Sequence, residues 1–376
     1  MKKVISLLLI ISVIIATISL SSCGSSSDSE KKKKKKDEDK TQEYIDDTTL
    51  ESVEEDVTEK VEEESQESET GVGNEKHQGQ ESDGIFTYEI YETYVEISRY
   101  LGNSATVIVP KEYKGLPVKS LAKMLFYNNT RLESITLPDS ITNIGGGAFS
   151  YCKSLISITI PDSVTTIENA TFAYCESLES IIIPDGVTTI GTEVFFSCTS
   201  LSSITIPASV TSVGTEVFRC CNSLESIMVD PASKAYCSVD GVLFSKDKTS
   251  LVLFPAAKAE TSYKIPDSVT SIESYAFFFC ENLEVIEIPD GVTEIGAYAF
   301  AWCTSLTSIV VPDGVATIRE GTFSNSDGLQ FVTLPESVTR IDNYVFQSCY
   351  NVVIRVYDGS FAHMYAVNNG MDVEVI

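Results

Sequence analysis

Leu155-Ile156-Ser157-Ile158-Thr159-Ile160-Pro161-Asp162-Ser163-Val164-Thr165-Thr166-Ile167, followed by Phe172 and Cys175, is the stretch that decides the fold. After 23 residues it returns as Leu178-Glu179-Ser180-Ile181-Ile182-Ile183-Pro184-Asp185-Gly186-Val187, followed by Phe195 and Cys198. The same segment ends at Pro138, Pro161, Pro184 and Pro207, then at Pro266, Pro289, Pro312 and Pro335. Ile158 and Ile160 alternate with Thr159, as a short strand with one buried face requires. Pro161 cannot donate to a ladder, so the strand stops there, and Asp162-Ser163 or Asp185-Gly186 turns the corner. Val164 and Ile167 return to the core. Phe149, Phe172, Phe195 and Phe218, then Phe277, Phe300, Phe323 and Phe346, keep the same interval and predict a buried aromatic spine.

Repeats of 20–29 residues with apolar residues at Leu-x-x-Ile-x-Ile spacing point to a leucine-rich-repeat solenoid. The predicted coil has 23 residues, a parallel β-sheet on one face, and short strand segments, turns and short helical turns on the others. About ten such coils account for the chain beyond residue 84. No coil can bury its own apolar face, so the stack is stable only as a whole. Cys152, Cys175, Cys198, Cys221, Cys280, Cys303 and Cys349 share one position of the unit, with Asn129 and Ser326 in the same slot elsewhere. Stacked side chains run parallel, whereas a disulfide needs Cβ vectors that converge. The ladder therefore reads as buried thiols acting as small hydrophobes. Cys220 and Cys237 lie outside it, and the sequence leaves open whether they pair.

The Pro-Asp-Ser/Gly-Val-Thr corner and Phe-x-x-Cys resemble the BspA-type leucine-rich-repeat family, from about Ile85 to Ile376. Within that resemblance, residues 231–262, with Asp240-Gly241-Val242-Leu243-Phe244, look like a hairpin variant coil. Residues 85–110 look like an N-terminal cap, and residues 351–376, with Gly359-Ser360-Phe361-Ala362, look like a closing cap. The resemblance implies display at a cell surface and binding of proteins or other cells, with no particular ligand.

The first 83 residues are of another kind. Lys2 and Lys3 precede an apolar run from Val4 to Leu20, which reads as the core of an export signal. Leu20-Ser21-Ser22-Cys23 resembles the lipobox of bacterial lipoproteins. That resemblance implies a signal peptide over 1–22, lipidation of Cys23 and anchoring to the membrane by two or more acyl chains. An uncleaved membrane anchor is the other reading of the run. Residues 23–83 then form a charged stalk: Lys31–Lys36 are six lysines in succession, and the acidic run behind them repels itself.

The chain has 54 acidic residues against 27 basic ones, a formal net charge of −27, which excludes nucleic acid as a partner. Two histidines, one tryptophan and no paired-carboxylate or phosphate-loop motif predict a non-enzymatic protein without cofactor or metal site. Two surfaces remain. The outward row of the strand runs Thr136, Thr159, Ile182, Thr205, Met228, Lys264, Glu287, Val310 and Thr333, beside a serine row that gives way to Val285 and Phe331. Of these, Thr136, Thr159, Ile182, Thr205, Met228, Val310, Phe331 and Thr333 are the candidate ligand-binding residues. The second surface is the aromatic before the ladder cysteine, Tyr151, Tyr174, Phe279 and Trp302, which either stacks on sugar rings or packs over neighbouring coils. The expected function is a lipid-anchored surface protein that binds a macromolecule. Carbohydrate or cell-wall binding and a bare surface spacer are the alternatives, and the sequence sets no oligomeric state.

Overall fold

In the computed structural model, which describes residues 75–376, the Ser-Ile-Thr alternation becomes a short parallel strand in successive coils. Ser134 and Ile135 pair with Ser157 and Ile158, Thr159 bridges to Ile182, and Ser203–Ile206 pairs with Ser226–Val229. The row resumes at Ser262–Lys264 and continues through Val285–Glu287, Ser308–Val310, Phe331–Thr333 and Val353–Val356 to Asp372–Val375. Ile158, Ile204 and Ile309 point inward and are buried, as the alternation requires. Past the proline corner, Thr166–Ile167, Thr189–Ile190 and Ser212–Val213 form a second parallel ladder on another face. Stacking these units gives a β-solenoid of about 12 turns, two more than the period alone suggests.

The turns around the spine phenylalanine close by short-range hydrogen bonds, Ala148 N to Gly145 O and Cys152 N to Phe149 O. Two residues in each coil, four apart, hold left-handed φ: Gly147 and Tyr151, Ala170 and Tyr174, Glu193 and Ser197. An L-residue in this region costs roughly 1–2 kcal/mol. Cross-coil bonding offsets it. With the backbone so turned, the N–H groups of Gly147, Phe149 and Tyr151 donate to the carbonyls of Asn169, Thr171 and Ala173 in the next coil, at 2.8–3.0 Å.

Inside, the spine stacks face to face. Phe126, Phe149, Phe172, Phe195 and Phe218 follow one another at 5.4–5.8 Å with planes within 11°. Phe254 restarts the column after the insert and leads through Phe277, Phe300 and Phe323 to Phe346. Phe126 and Phe254 both lie on the 23-residue period. Phe346 departs from the expected burial: as the last ring it is only half-buried, because no coil covers its outer face.

The cysteine ladder is buried, and its thiols also donate hydrogen bonds. Cys152, Cys175, Cys198 and Cys221 Sγ each donate to the carbonyl of a spine phenylalanine 26 residues earlier, at 3.0–3.2 Å. Ser326 Oγ makes the same bond to Phe300 O at 2.7 Å. A small donor, not merely a small hydrophobe, is what the slot selects. Cys198→Ser is therefore expected to keep stability within about 1 kcal/mol. Cys198→Ala, which takes one of two donors from the Phe172 carbonyl and leaves it the Cys175 N–H, should lose roughly 0.5–1.5 kcal/mol in a thermal melt.

At the N-terminal end, Gly79–Ser82, Phe86–Ile90 and Val95–Tyr100 form an antiparallel cap, and the last of these pairs in parallel with Leu116–Leu121. The Tyr100 ring covers Phe126 at 5.1 Å. A strand, Gly79–Ser82, thus lies inside the stretch expected to be stalk. Gly79-Gln80-Glu81-Ser82 has no apolar alternation to reveal it; backbone pairing with Phe86–Ile90 holds it. Behind the cap, burial raises the Glu96 carboxyl above its usual range, against a 2.6 Å hydrogen bond from Ser120 Oγ. A raised folded value means that the folded state binds the extra proton, so stability falls as pH rises through the window above the ordinary carboxylate pKa. Glu96→Gln should raise the melting temperature at pH 7. The gain should vanish near pH 4, where Glu96 is already protonated.

The insert is a hairpin, Tyr236–Val239 with Val242–Ser245, turned at Asp240-Gly241 with both residues at positive φ. Ser250–Leu253 pairs antiparallel to its second strand and in parallel with Ser271–Ile272, which restarts the coils. Leu243 packs into the first core, and Val242 and Phe244 into the second. At the C-terminal end, Val353–Val356 and Asp372–Val375 flank helix α1 (Phe361–Asn368), which buries Ala362 and Ala366. Ser360 caps α1 by accepting from His363 N at 3.1 Å.

Candidate functional site

The outward row forms one column across the strands. Pairing sets Ile108 opposite Thr136, Thr159 opposite Ile182 and Thr205 opposite Met228. Ile182 is 73% exposed, Ile108 72% and Met228 53%, and the threonines between them are open to solvent. Val310 is also exposed, and Thr333 is half-exposed. Ile108 is the member the sequence reading missed. Val107-Ile108-Val109-Pro110 ends like the other units, but Pro110 stands 28 residues before Pro138 instead of 23.

Beside this column run Thr106, Ser134, Ser157, Ser180, Ser203 and Ser226. The structure therefore brings Thr136, Thr159, Ile182, Thr205 and Met228 together on one face, before the hairpin, and places Val310, Phe331 and Thr333 on the face beyond it. The two stretches differ in chemistry. Beyond the hairpin, Lys264 lies opposite Glu287, and Arg355 pairs with Glu374 at 2.9 Å. Phe331 is no open anchor: it is half-buried beneath the Arg355 guanidinium, 3.8 Å from its ring centre. Covering by a cation desolvates the ring face that a ligand would need.

The aromatic surface resolves in favour of packing. Tyr151 and Tyr174 are buried, 6% and 4% exposed, and stack on each other at 4.1 Å. Phe279 and Trp302 are half-buried and stack at 5.4 Å. These positions are the second left-handed residue of each coil, which turns the side chain along the stack.

Among the described residues no group of three His, Cys, Asp or Glu side chains could hold a metal ion. His77 meets Glu89 at 2.8 Å on the cap, and His363 meets Asp358 at 3.4 Å beside α1. Burial pushes the ladder thiols up, Cys152 to about 12, which removes them as nucleophiles. Cys220 and Cys237 are free, half-exposed thiols. No described helix is long and apolar enough to cross a membrane. The signal segment, the lipidation site Cys23 and the lysine run fall outside the described residues.

Comparison with known proteins agrees with this architecture. A leucine-rich cell-surface protein from Faecalibacterium prausnitzii A2-165 is 26% identical, covering 78% of this chain and 98% of its own, with a TM-score of 0.59. A leucine-rich repeat protein from Eubacterium ventriosum is 24% identical over 73% of this chain and 82% of its own, with a TM-score of 0.53. The pneumococcal vaccine antigen PcpA shares the fold at 20% identity, over 80% of this chain and 99% of its own, with a TM-score of 0.51. No functionally curated protein matches the chain. The model of the BspA-type leucine rich repeat region matches residues 119–238 and 253–361 in six copies, more than half of the chain. With the 23-residue coil, the proline corner and the phenylalanine spine in place, the chain belongs to the BspA-type leucine-rich-repeat family.

Proposed function

We propose that this protein is a non-enzymatic, lipid-anchored surface protein whose strand face binds a macromolecular partner. The observation that carries the reading is the exposure of Ile108, Ile182 and Met228 on a rigid sheet, in a chain of net charge −27. Solubility favours polar residues there, and β-propensity is already met by threonine. The cell-surface description of the Faecalibacterium relative supports display outside the cell. Leu20–Cys23 supplies the anchor, with residues 24–74 as its tether to the cap.

Two variants test the two halves of the proposal. Cys23→Ala is expected to move the protein from the membrane to the soluble fraction, and retention in the membrane would refute the anchor. The double variant Ile182→Glu, Met228→Glu is expected to keep its circular dichroism spectrum and melting temperature while losing binding to host cells or matrix proteins. Binding that survives both glutamates would place the partner elsewhere.

A further inference from the structure

We infer that the stretch of strand face from Ile108 to Met228 takes a protein segment whose apolar side chains are flanked by lysine or arginine. The inference rests on the strand-face reading above and adds the partner's chemistry.

The central column, Ile108, Thr136, Thr159, Ile182, Thr205 and Met228, contains no charge, and neither does the hydroxyl column beside it. Among the described residues, Ser157, Ser180 and Ser203 have no side-chain hydrogen-bond partner, so their hydroxyls can donate and accept. Both borders are acidic. On one side stand Glu133, Glu179 and Glu225, alternating with Ile156 and Ser202, and on the other Asp139, Asp162 and Asp185, followed by Ala208. All six acidic residues are exposed, and none has an ion pair or side-chain hydrogen bond among the described residues. An uncharged core inside a charged rim is the anatomy of a protein interface. Carboxylates left unpaired on both borders favour a partner with cations at its rim.

The strip has defined ends. The cap closes the first, where Lys111 takes the corner position that aspartate holds in later coils. The hairpin closes the other: the Gly241 carbonyl accepts from Ile227 N at 2.9 Å, and Gly241 packs against Ser226. A Cβ at Gly241 would sit 2.9 Å from Ser226 Cβ, at a φ of +79°, so this position needs glycine. Ile108 and Ile182 are three strand spacings apart, about 14 Å, and Ile182 and Met228 two, about 10 Å. Beyond the hairpin the column itself carries charge: Lys264 stands across from Glu287, and Arg355 pairs with Glu374.

Other occupants fit poorly. A second copy of this chain would set carboxylate against carboxylate. The Lys31–Lys36 run has cations but no apolar anchor. A phosphate-bearing ligand meets repulsion from both borders, and no aromatic ring lies in the strip for a sugar to stack on.

The test is selection of a phage-displayed library of random 16-residue peptides against the full chain, followed by affinity measurement with the synthetic winners. Ile182→Ser with Met228→Ser removes the anchors; Glu133→Gln, Glu179→Gln and Glu225→Gln together remove one acidic border. All lie on the surface, and a melting temperature matching the parent establishes that each variant is folded. The expected winners carry apolar residues flanked by lysine or arginine and weaken about tenfold or more with either set. They should also weaken several-fold between 50 and 300 mM salt. Winners that need Ile182 and Met228 but lack cations, and that bind the glutamine variant unchanged, would overturn the basic partner while leaving strand-face binding intact. Winners indifferent to Ile182 and Met228 would overturn the strand-face reading itself.

Discussion

Replacing Phe195 by alanine is expected to cost the solenoid roughly 3–5 kcal/mol. The ring is fully buried, 5.8 Å from Phe172 on one side and 5.7 Å from Phe218 on the other. Its coil cannot settle into the void, because backbone and side-chain bonds pin it to the next one. Phe195 N donates to Val217 O at 3.0 Å, and Cys221 Sγ donates to Phe195 O at 3.0 Å. The cavity therefore stays open, and the cost belongs at the high end of large-to-small substitutions. For a fold of this size each kcal/mol lowers the melting temperature by roughly 2–4 °C, so a fall of about 10 °C or more should be seen by calorimetry. Phe346→Ala is the internal control. It ends the same column but is half-buried, with a ring on one side only. Its loss should be less than half as large. Equal losses at both positions would mean that stacking burial is not what the spine contributes.

The coil and the spine were legible because each depends on which residues are apolar and at what interval. What escaped the sequence depends on partners one coil away. The left-handed column is filled by Tyr151, Tyr174, Ser197, Cys220, Phe279 and Trp302, residues with no common backbone preference. Cross-coil hydrogen bonds impose that conformation, and side-chain identity then follows from local packing. The ladder cysteines looked like small hydrophobes because sulfur donates weakly. Ser326 in the same slot was the available sign that the position wants a donor. Phe331 looked exposed because its cover, Arg355, arrives from the next coil, and only the strand register places it there. Ile108 lay off the period and could be found only by its Val-Ile-Val-Pro ending. Of the candidate strip, then, Ile182 and Met228 were readable from the period, and the strip's division by the hairpin was not. Asp240-Gly241 announces a turn, but nothing in it says which strand the turn will abut.

The second large effect is expected at that division. Arg219 follows the last spine ring of the first core, and its guanidinium lies 5.2 Å from the Phe196 ring centre, 4.7 Å from Tyr275 and 5.3 Å from Phe278. Phe196 comes from the coil before the insert, and Tyr275 and Phe278 from the coil after it. Nη1 also donates to Glu216 Oε2 at 2.8 Å, with both side chains about four-fifths shielded from solvent. One cation thus joins two stretches of sequence that the insert separates. Arg219→Ala removes three ring contacts and leaves a shielded carboxylate without its partner, a combined loss of about 3 kcal/mol or more. Because the substitution lies at the seam, the loss should take a distinctive form. Calorimetry should show one transition in the parent and two in Arg219→Ala, as the cores before and after the hairpin begin to melt separately, whereas Phe195→Ala should mainly shift the transition. Adding Glu216→Gln to Arg219→Ala should recover part of the stability by removing the stranded charge. If the two substitutions instead cost the sum of their separate effects, the ion pair contributes nothing to the seam, and the rings alone hold the two cores together.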